Sequence, residues 1–220
     1  MKRILLLNPN STKSVTERIS KTAKRYDQPG FIIETITCED APSAIETSYD
    51  ELMSGKAVVD ELSKREFDAA AICCFSDPGL LSARELFSQP IVGICQAAVN
   101  YSALFSRRFS IIASGGSSEI DSFINQMKSY QAGERLASVE YLDTGVLGVT
   151  TNSDEISERI EKCIKDHGVG AVLLGCAAFS GLSEKLSAKH KIFVSEGVGP
   201  AILTLVSLMN FRESNKGWLK

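Results

Sequence analysis

The chain carries one short motif twice, about a hundred residues apart. The first copy, Asp68–Leu86, reads DAAAICCFSDPGLLSAREL, and the second, Gly170–Leu186, reads GAVLLGCAAFSGLSEKL. In each copy an apolar run ends at a cysteine, small residues follow, and a helical pattern begins. Cys74 and Cys176 therefore occupy equivalent positions, each at the C-terminal end of a predicted strand. The repeat predicts two similar halves with one such cysteine in each.

The likeness between the halves extends to both sides of the cysteine motif. Arg3–Ile19 resembles Arg108–Ile124 in pattern, since each reads as strand, small polar turn and helix. Pro90–Phe105 aligns loosely with His190–Val206. Buried parallel strands are uniformly apolar, so any single pair could reflect only the general likeness of α/β units. Three matched pairs in the same order favour duplication.

Apolar runs of about six residues alternate with amphipathic stretches of about ten or more, which predicts an α/β fold with parallel sheets. The predicted strands are Arg3–Asn8, Phe31–Thr37, Ala69–Phe75, Pro90–Cys95, Phe109–Ser114, Ser138–Asp143, Ala171–Cys176 and Lys191–Ser195. The predicted helices are Lys13–Tyr26, Ser43–Arg65, Pro78–Phe87, Ala97–Phe105, Ser118–Tyr130, Ser153–His167, Ser180–Ala188 and Pro200–Asn210.

The pattern predicts two similar α/β subdomains, related by a pseudo-two-fold axis, with a cleft between them. We place the first half at residues 1–100 and the second at 101–204. No linker rich in proline, glycine or serine separates them. We expect residues 205–220 to pack back on the first half. Ligands of open parallel α/β sheets bind beyond the carboxyl ends of the strands, so both cysteines are expected at the cleft.

Composition and charge exclude several classes of function. A net charge of −3 leaves no basic patch for nucleic acid. The apolar runs are of strand length, far short of the roughly 20 residues of a membrane helix. The start, MKRILLLNPN, is a better first strand than a signal peptide, because Asn8 and Pro9 interrupt its apolar run. We therefore expect a cytoplasmic protein with reduced cysteines, and we also expect a homo-oligomer.

The sequence contains no pattern that predicts a metal or a cofactor. None of the six cysteines forms a CxxC pair, and His167 and His190 add no metal spacing. There is no GxGxxG after the first strand and no Walker motif, so a nucleotide cofactor is not expected. Neither histidine lies in a motif, as a cysteine–histidine hydrolase would require.

Polar turns follow the first strand of each half. In Asn8–Thr12, Ser11 or Thr12 can cap the next helix, and Asn10 with the exposed amides can bind a carbonyl oxygen or an anion. Ser114–Ser117 (SGGS) is the counterpart in the second half, where glycine lets the backbone approach a ligand closely.

The turn after Cys74 is the strongest candidate for chemistry. A cysteine at a helix N-terminus has its pKa lowered from about 8.5 towards neutrality, which makes a useful general base. The amides of Phe75 and Ser76 could hold a substrate oxygen as negative charge develops. Asp77 could instead raise the thiol pKa by like-charge repulsion.

The second half repeats this arrangement at Cys176, where Ala177 and Ala178 leave room and free amides. Alternation along the strand points Cys73 to the opposite face from Cys74. Cys95 ends the fourth predicted strand and could line the same cleft, as could Gln96.

With these motifs in place, the chain resembles the aspartate/glutamate/hydantoin racemase superfamily, in particular its hydantoin and allantoin racemase branch. The resemblance covers most of the chain. It rests on NPNST at Asn8–Thr12, CFSDPGL at Cys74–Leu80, GICQAA at Gly93–Ala98 and LGCAAF at Leu174–Phe179.

The resemblance implies a cofactor-independent enzyme with its active site between two like domains and a thiol pair at Cys74 and Cys176. It further implies that ring carbonyls are held by backbone amides, around Asn10, Phe75, Ser76, Ser114, Gly115, Ala177 and Ala178. This sequence departs from the family, which often has an acidic residue at Ser76, glutamate at Gln96, glycine at Ala178 and methionine at Phe179. These departures bear on substrate identity more than on mechanism.

We therefore predict a small-molecule racemase of 5-substituted hydantoins in which one cysteine removes the C5 proton and the other returns one from the opposite face. The four motifs contain no arginine or lysine to pair with an amino-acid carboxylate, although amides could serve. A racemase of an acidic amino acid therefore stays open. A cysteine-dependent isomerase or decarboxylase of a small diacid, and a non-catalytic small-molecule binding protein, are further alternatives. The second thiol disfavours both a one-thiol decarboxylase and a binding protein.

Overall fold

The first half of the protein is a four-stranded parallel sheet with flanking helices. The structure, a computed structural model, describes residues 1–116, 120–145 and 153–215. The elements of the first half are β1 (Lys2–Asn8), α1 (Lys13–Ala23), β2 (Phe31–Thr37), α2 (Ser48–Ser63), β3 (Ala69–Ile72), α3 (Leu80–Leu86), β4 (Ile91–Gly93) and α4 (Ile94–Phe105). A short 3₁₀ turn, Lys24–Tyr26, follows α1.

The second half repeats this order of elements. They are β5 (Phe109–Ala113), α5 (Ile120–Ser129), β6 (Leu136–Tyr141), α6 (Ser153–His167), β7 (Ala171–Leu174), α7 (Ser183–His190), β8 (Phe193–Ser195) and α8 (Val198–Ser214). The 3₁₀ turns Gly133–Arg135 and Ala177–Phe179 precede β6 and follow β7.

The two sheets have the same strand order, β2-β1-β3-β4 and β6-β5-β7-β8, and the described pairings are all parallel. The duplication inferred from the cysteine motifs therefore extends to topology, and the predicted fold class is confirmed. The central pairs β1/β3 and β5/β7 are almost wholly buried, as their continuous apolar sequences require. In each sheet the first central strand is followed by the edge strand on its own side, and the second central strand by the edge strand on the other side. This divergence of the connections opens a crevice at the carboxyl ends of the central strands.

The halves exchange their last helices. α4 follows β4 of the first sheet and packs on β7 and β8 of the second, whereas α8 follows β8 and packs on β3 and β4 of the first. The two helices also pack on each other. One continuous apolar cluster includes residues of both sheets and of α8, such as Leu6, Val172 and Ile202. No sequence pattern predicted the exchange of α4.

Several predicted boundaries were wrong at strand and helix ends. The strands expected to reach Phe75 and Cys176 end at Ile72 and Leu174, because the chain turns away from the sheet before each cysteine. The fourth strand ends at Gly93, where α4 begins.

Helix starts also differ from the predicted ones: α2, α3 and α7 begin later, whereas α4 and α8 begin earlier. α2 begins at Ser48 rather than Ser43, because the Thr47 side chain accepts from the Asp50 amide and the Asp50 side chain from the Thr47 amide in a capping box. Residues 117–119, which include the end of the SGGS loop and the start of the helix predicted at Ser118–Tyr130, lie outside the described residues. Residues 216–220 of the C-terminal segment also lie outside them. Within the described residues, no helix is long and apolar enough to cross a membrane.

Candidate functional site

The carboxyl ends of the central strands bring the two predicted cysteines to one crevice. Cys74 lies two residues beyond the end of β3, and Cys176 lies two residues beyond the end of β7. The residue before each cysteine is anchored to the adjacent central strand. The Cys73 amide donates to the Leu7 carbonyl (2.8 Å) and the Gly175 amide to the Ile112 carbonyl (2.7 Å). The two thiols therefore have equivalent backbone supports in the two halves.

Both thiols line a single cavity of about 270 Å³. This volume is near the lower end of the range for small-molecule pockets, about 300–1,000 Å³. The lining residues are Ile45, Glu46, Thr47, Ser48, Glu51, Cys74, Phe75, Ser76, Ser114, Gly115, Ser122, Phe123, Gln126, Gly175 and Cys176. The cavity suits a small molecule and contains carboxylates but no lysine or arginine among the described residues of its wall.

Six of the nine predicted site residues line this cavity. They are Cys74, Phe75, Ser76, Ser114, Gly115 and Cys176. Asn10, Ala177 and Ala178 are buried and are not among the lining residues. The Asn10 side-chain oxygen accepts from the Asn8 side chain and from the Thr12 amide, both at 2.9 Å. The substrate-binding assignments of all these residues stay predictions.

Each thiol is contacted by the amide two residues further along the chain. The Ala178 amide lies 3.4 Å from the Cys176 sulfur, and the Ser76 amide makes the corresponding bond to Cys74. The Ser76 hydroxyl lies 3.5 Å from the Cys74 sulfur as well. Hydrogen-bond donors aimed at sulfur favour the thiolate. Two amides expected to hold the substrate therefore contact the thiols in this structure.

The expected lowering of the Cys74 pKa was wrong. Burial is the largest cause and raises the pKa of Cys74 to about 12, while the Ser76 bonds oppose the rise and the charges of Cys176 and Asp77 add to it. The helix dipole acts only within the first turn, and α3 does not begin until Leu80, so it cannot offset the loss of water around the sulfur. The effect of Cys176 shows that the two thiols are close enough to interact.

Asp77 ends the Cys74 turn and is held on three sides. Its carboxylate accepts from the amides of Cys95 (3.1 Å) and Gln96 (2.9 Å) and from the Tyr130 hydroxyl (2.7 Å). It thereby caps the N-terminus of α4. Asp77 has φ of +49°, a conformation that is uncommon for a residue with a side chain. Burial is the main reason why the pKa of Asp77 rises to about 7.

Helix α5 of the second half closes the cavity over the Cys74 turn. The Gln126 side chain donates to the Phe75 carbonyl at 2.7 Å, and the Phe123 ring lies 6.3 Å from the Phe75 ring, centroid to centroid. Tyr130, one helical turn after Gln126, reaches Asp77. The first-half thiol therefore sits under a helix from the other half.

The structure separates the remaining predicted candidates. Cys73 is buried in the core and is not among the residues that line the cavity. Cys95 does not end a strand but lies in the first turn of α4, fully buried and not among the lining residues. Gln96 lines a second pocket beside the cavity and accepts from Arg84 at 2.6 Å. Five residues line both pockets and form a common wall: Ser48, Glu51, Ser76, Ser122 and Gln126.

Sequence reasoning missed the walls that α2 and α5 supply. The start of α2 contributes Glu46, Thr47, Ser48 and Glu51, and α5 contributes Ser122, Phe123 and Gln126. The capping box at Thr47 and Asp50 could have located the start of α2, but nothing in the sequence indicates that these helices face the thiols. Among the described residues, no group of three or more histidine, cysteine, aspartate or glutamate side chains could hold a metal ion.

Comparison with known proteins gives one consistent result. Residues 4–203 match the model of the Asp/Glu/Hydantoin racemase family. A hydantoin racemase of Rhizobium meliloti is 32% identical over 94% of this chain and 88% of its own length, and one of Paenarthrobacter aurescens is 29% identical over 94% and 91%. The structure of an allantoin racemase from Klebsiella pneumoniae covers 96% of this chain and 89% of its own, with a TM-score of 0.91 and 28% identity.

Proposed function

Because the chain belongs to the Asp/Glu/Hydantoin racemase family and is therefore an isomerase, a racemase, we propose that it racemises 5-substituted hydantoins without a cofactor. The observation that carries this proposal is the pair of thiols that line one small cavity from equivalent positions in the two halves. Curated relatives that act as hydantoin racemases support the choice of substrate.

The proposed reaction uses Cys74 and Cys176 on opposite faces of the ring. One cysteine, as thiolate, removes the C5 proton, and the bonding electrons move into the adjacent carbonyl to form an enolate. Backbone amides hold the enolate oxygen as its charge develops. The other cysteine, as thiol, donates a proton to the opposite face of C5. The pair then holds one proton as before, on the other sulfur, and the enantiomer determines which cysteine acts first.

The coupling between the thiols fits this chemistry. A charge on Cys176 raises the pKa of Cys74, so ionisation of one sulfur opposes ionisation of the other. The pair therefore disfavours two thiolates, so that on ionisation it holds one thiolate with one thiol, the state that a two-base racemase uses. The hydrogen bonds from backbone amides to the two sulfurs stabilise the negative charge on whichever sulfur carries it.

The cavity favours a neutral ring over an amino acid. An acidic amino acid brings two carboxylates, and the described wall contains Glu46 and Glu51 without a lysine or arginine. Like charges at short range oppose binding. We therefore rank a racemase of an acidic amino acid below a hydantoin racemase.

The same wall suits a polar C5 substituent. Glu46, Ser48, Glu51, Ser122 and Gln126 surround the space beside the thiols. Carboxylate and amide oxygens accept hydrogen bonds, so they complement a substituent rich in N–H donors such as the ureido group of allantoin. We propose that such a substituent is accepted better than an alkyl or aryl group.

A panel of single enantiomers tests the proposed function. Loss of optical rotation is followed with allantoin, 5-benzylhydantoin, 5-methylhydantoin and aspartate, and the enzyme-free rate is subtracted. We expect turnover of the hydantoins, fastest with allantoin, none with aspartate, and no change on chelation. Turnover of aspartate alone would favour the acidic amino-acid reading. Binding of hydantoins without any loss of rotation would identify a binding protein. The cytoplasmic location and the homo-oligomer stay predictions.

A further inference from the structure

The turn that carries Cys74 is fastened by a helix of the other half. Two side chains four residues apart donate to this turn, one from Gln126 in α5 and one from Tyr130, the residue that directly follows α5 and whose amide donates to the Gln126 carbonyl. Gln126 donates to the Phe75 carbonyl and Tyr130 to the Asp77 carboxylate, both at 2.7 Å. The bonds flank the turn immediately after the sulfur-bearing residue, so they fix the position of the thiol relative to the second half.

The turn that carries Cys176 lies in the second half and is bound by a helix of the first half. Arg18 on α1, a first-half helix, donates to the Ala178 carbonyl at 2.8 Å, and α1 packs against the 3₁₀ turn that follows Cys176. α1 and α5 are equivalent in the duplication, because α1 follows β1 and α5 follows β5. Each thiol turn is therefore held by the first helix of the opposite half.

The groups that form these hydrogen bonds contact residues that are themselves buried. The carboxylate that Tyr130 contacts is buried and is also bound by two amides at the start of α4. Phe123 and Met127, which lie on α5 with Gln126, are buried in the same apolar cluster as Phe75. Neither Tyr130 nor Arg18 is among the residues lining the 270 Å³ cavity.

We propose that three positioning residues fix the thiols from across the interface between the halves. Gln126 and Tyr130, at the C-terminal end of α5, fix the position of Cys74, and Arg18 on α1 fixes that of Cys176. The inference rests on the proposed function for its catalytic meaning. Displacing a reacting group by about 1 Å can cost roughly a hundredfold in rate, so even small loosening of one turn matters.

The test compares Tyr130→Phe and Arg18→Ala, each the control for the other. Brief alkylation with iodoacetamide, read by mass spectrometry at each cysteine, measures the access and ionisation of the two sulfurs separately. We expect Tyr130→Phe to speed labelling of Cys74 several-fold with Cys176 unchanged, and Arg18→Ala to do the reverse. Ile160→Val, a core change on α6 away from the cleft, reports general loosening and should shift neither sulfur selectively.

Labelling that rises at both cysteines together, or at neither, in either variant would overturn the proposal. With a hydantoin that the wild type racemises, kcat should fall by about tenfold or more in both variants while KM changes little. A selective labelling change with unchanged kcat would remove the catalytic role. The labelling measurement needs no substrate, so it decides the placement of the thiols even if the wild type racemises no hydantoin.

Discussion

At the scale of single residues, the site combines two reactive cysteines with a closely packed backbone at Gly93 and Asp77. Cys74 and Cys176 differ in surroundings although their supports match. Cys74 is half-buried beside Asp77, whereas only 8% of Cys176 is exposed. Burial opposes ionisation of Cys74, and hydrogen bonds from Ser76 oppose that effect. Gly93 lies so close to the Asp77 carboxyl group that no Cβ atom fits between them.

Cys74→Ser and Cys176→Ser should each abolish racemisation, because a serine hydroxyl is too weak an acid to provide the base at neutral pH. Each variant should still exchange C5 hydrogen with solvent in one enantiomer, the one whose proton faces the remaining cysteine, and with retention. The two variants should prefer opposite enantiomers. The measurement is C5 deuterium uptake by NMR in heavy water on each pure enantiomer. Exchange of the same enantiomer by both variants would show that the cysteines do not serve opposite faces.

Gly93→Ala should destabilise the protein strongly. A Cβ atom at Gly93 would lie 1.9 Å from the Asp77 carboxyl carbon, so the carboxylate would be pushed off the amides of α4. We expect a loss of about 1–3 kcal/mol in the free energy of unfolding, typical of overpacking, measured by urea titration. Gly133→Ala is the control and should cost less, because a Cβ there would closely approach only the flexible Lys128 side chain, at 3.3 Å, and Gly133 has no positive φ. Equal stability of Gly93→Ala and the wild type would refute the steric argument.

At the scale of elements, the thiol turn, α4 and α5 form one unit joined at Asp77. The carboxylate caps α4 and accepts from Tyr130 at the end of α5. Burial at this junction raises the pKa of Asp77 from 3.8 to about 7. The ionisation of Asp77 therefore links the stability of the junction to pH.

Asp77 should make stability fall as the pH rises from about 4 to about 7. In that window the folded protein retains the Asp77 proton and the unfolded chain has released it. The free energy of unfolding then falls by at most about 1.4 kcal/mol per pH unit, and this contribution is constant above the folded pKa. Asp77→Asn should flatten the profile in urea titrations between about pH 4 and pH 7. Asp27→Asn, at an exposed site, is the charge-matched control. Parallel profiles for the wild type and Asp77→Asn would contradict the prediction.

At the scale of the whole molecule, the exchange of α4 and α8 locks the halves together. The helices cross so closely that a Cβ at Gly197, before α8, would lie 2.1 Å from the Ile94 carbonyl oxygen at the start of α4. Each sheet is covered by a helix that follows the other sheet in the chain. Neither half can keep its core if the other unfolds.

The two halves should therefore unfold in one transition. Calorimetric and van't Hoff enthalpies should agree, as expected for a two-state process. Gly197→Ala should lower the single midpoint without splitting it, because it disturbs the shared crossing. Two resolved transitions, in the wild type or the variant, would mean that the halves have separable cores.

The sequence by itself determined the strand-helix alternation, the duplication and the placement of Cys74 and Cys176 at matching strand ends. These are local or periodic properties: buried parallel strands are continuously apolar, and a repeated motif repeats its fold. Only the tertiary structure decided which residues meet those thiols. Gln126, Tyr130 and Arg18 lie far from their partners in the chain, and no local pattern encodes their contacts. The raised Cys74 pKa has the same origin, because its largest cause is the removal of water by packing.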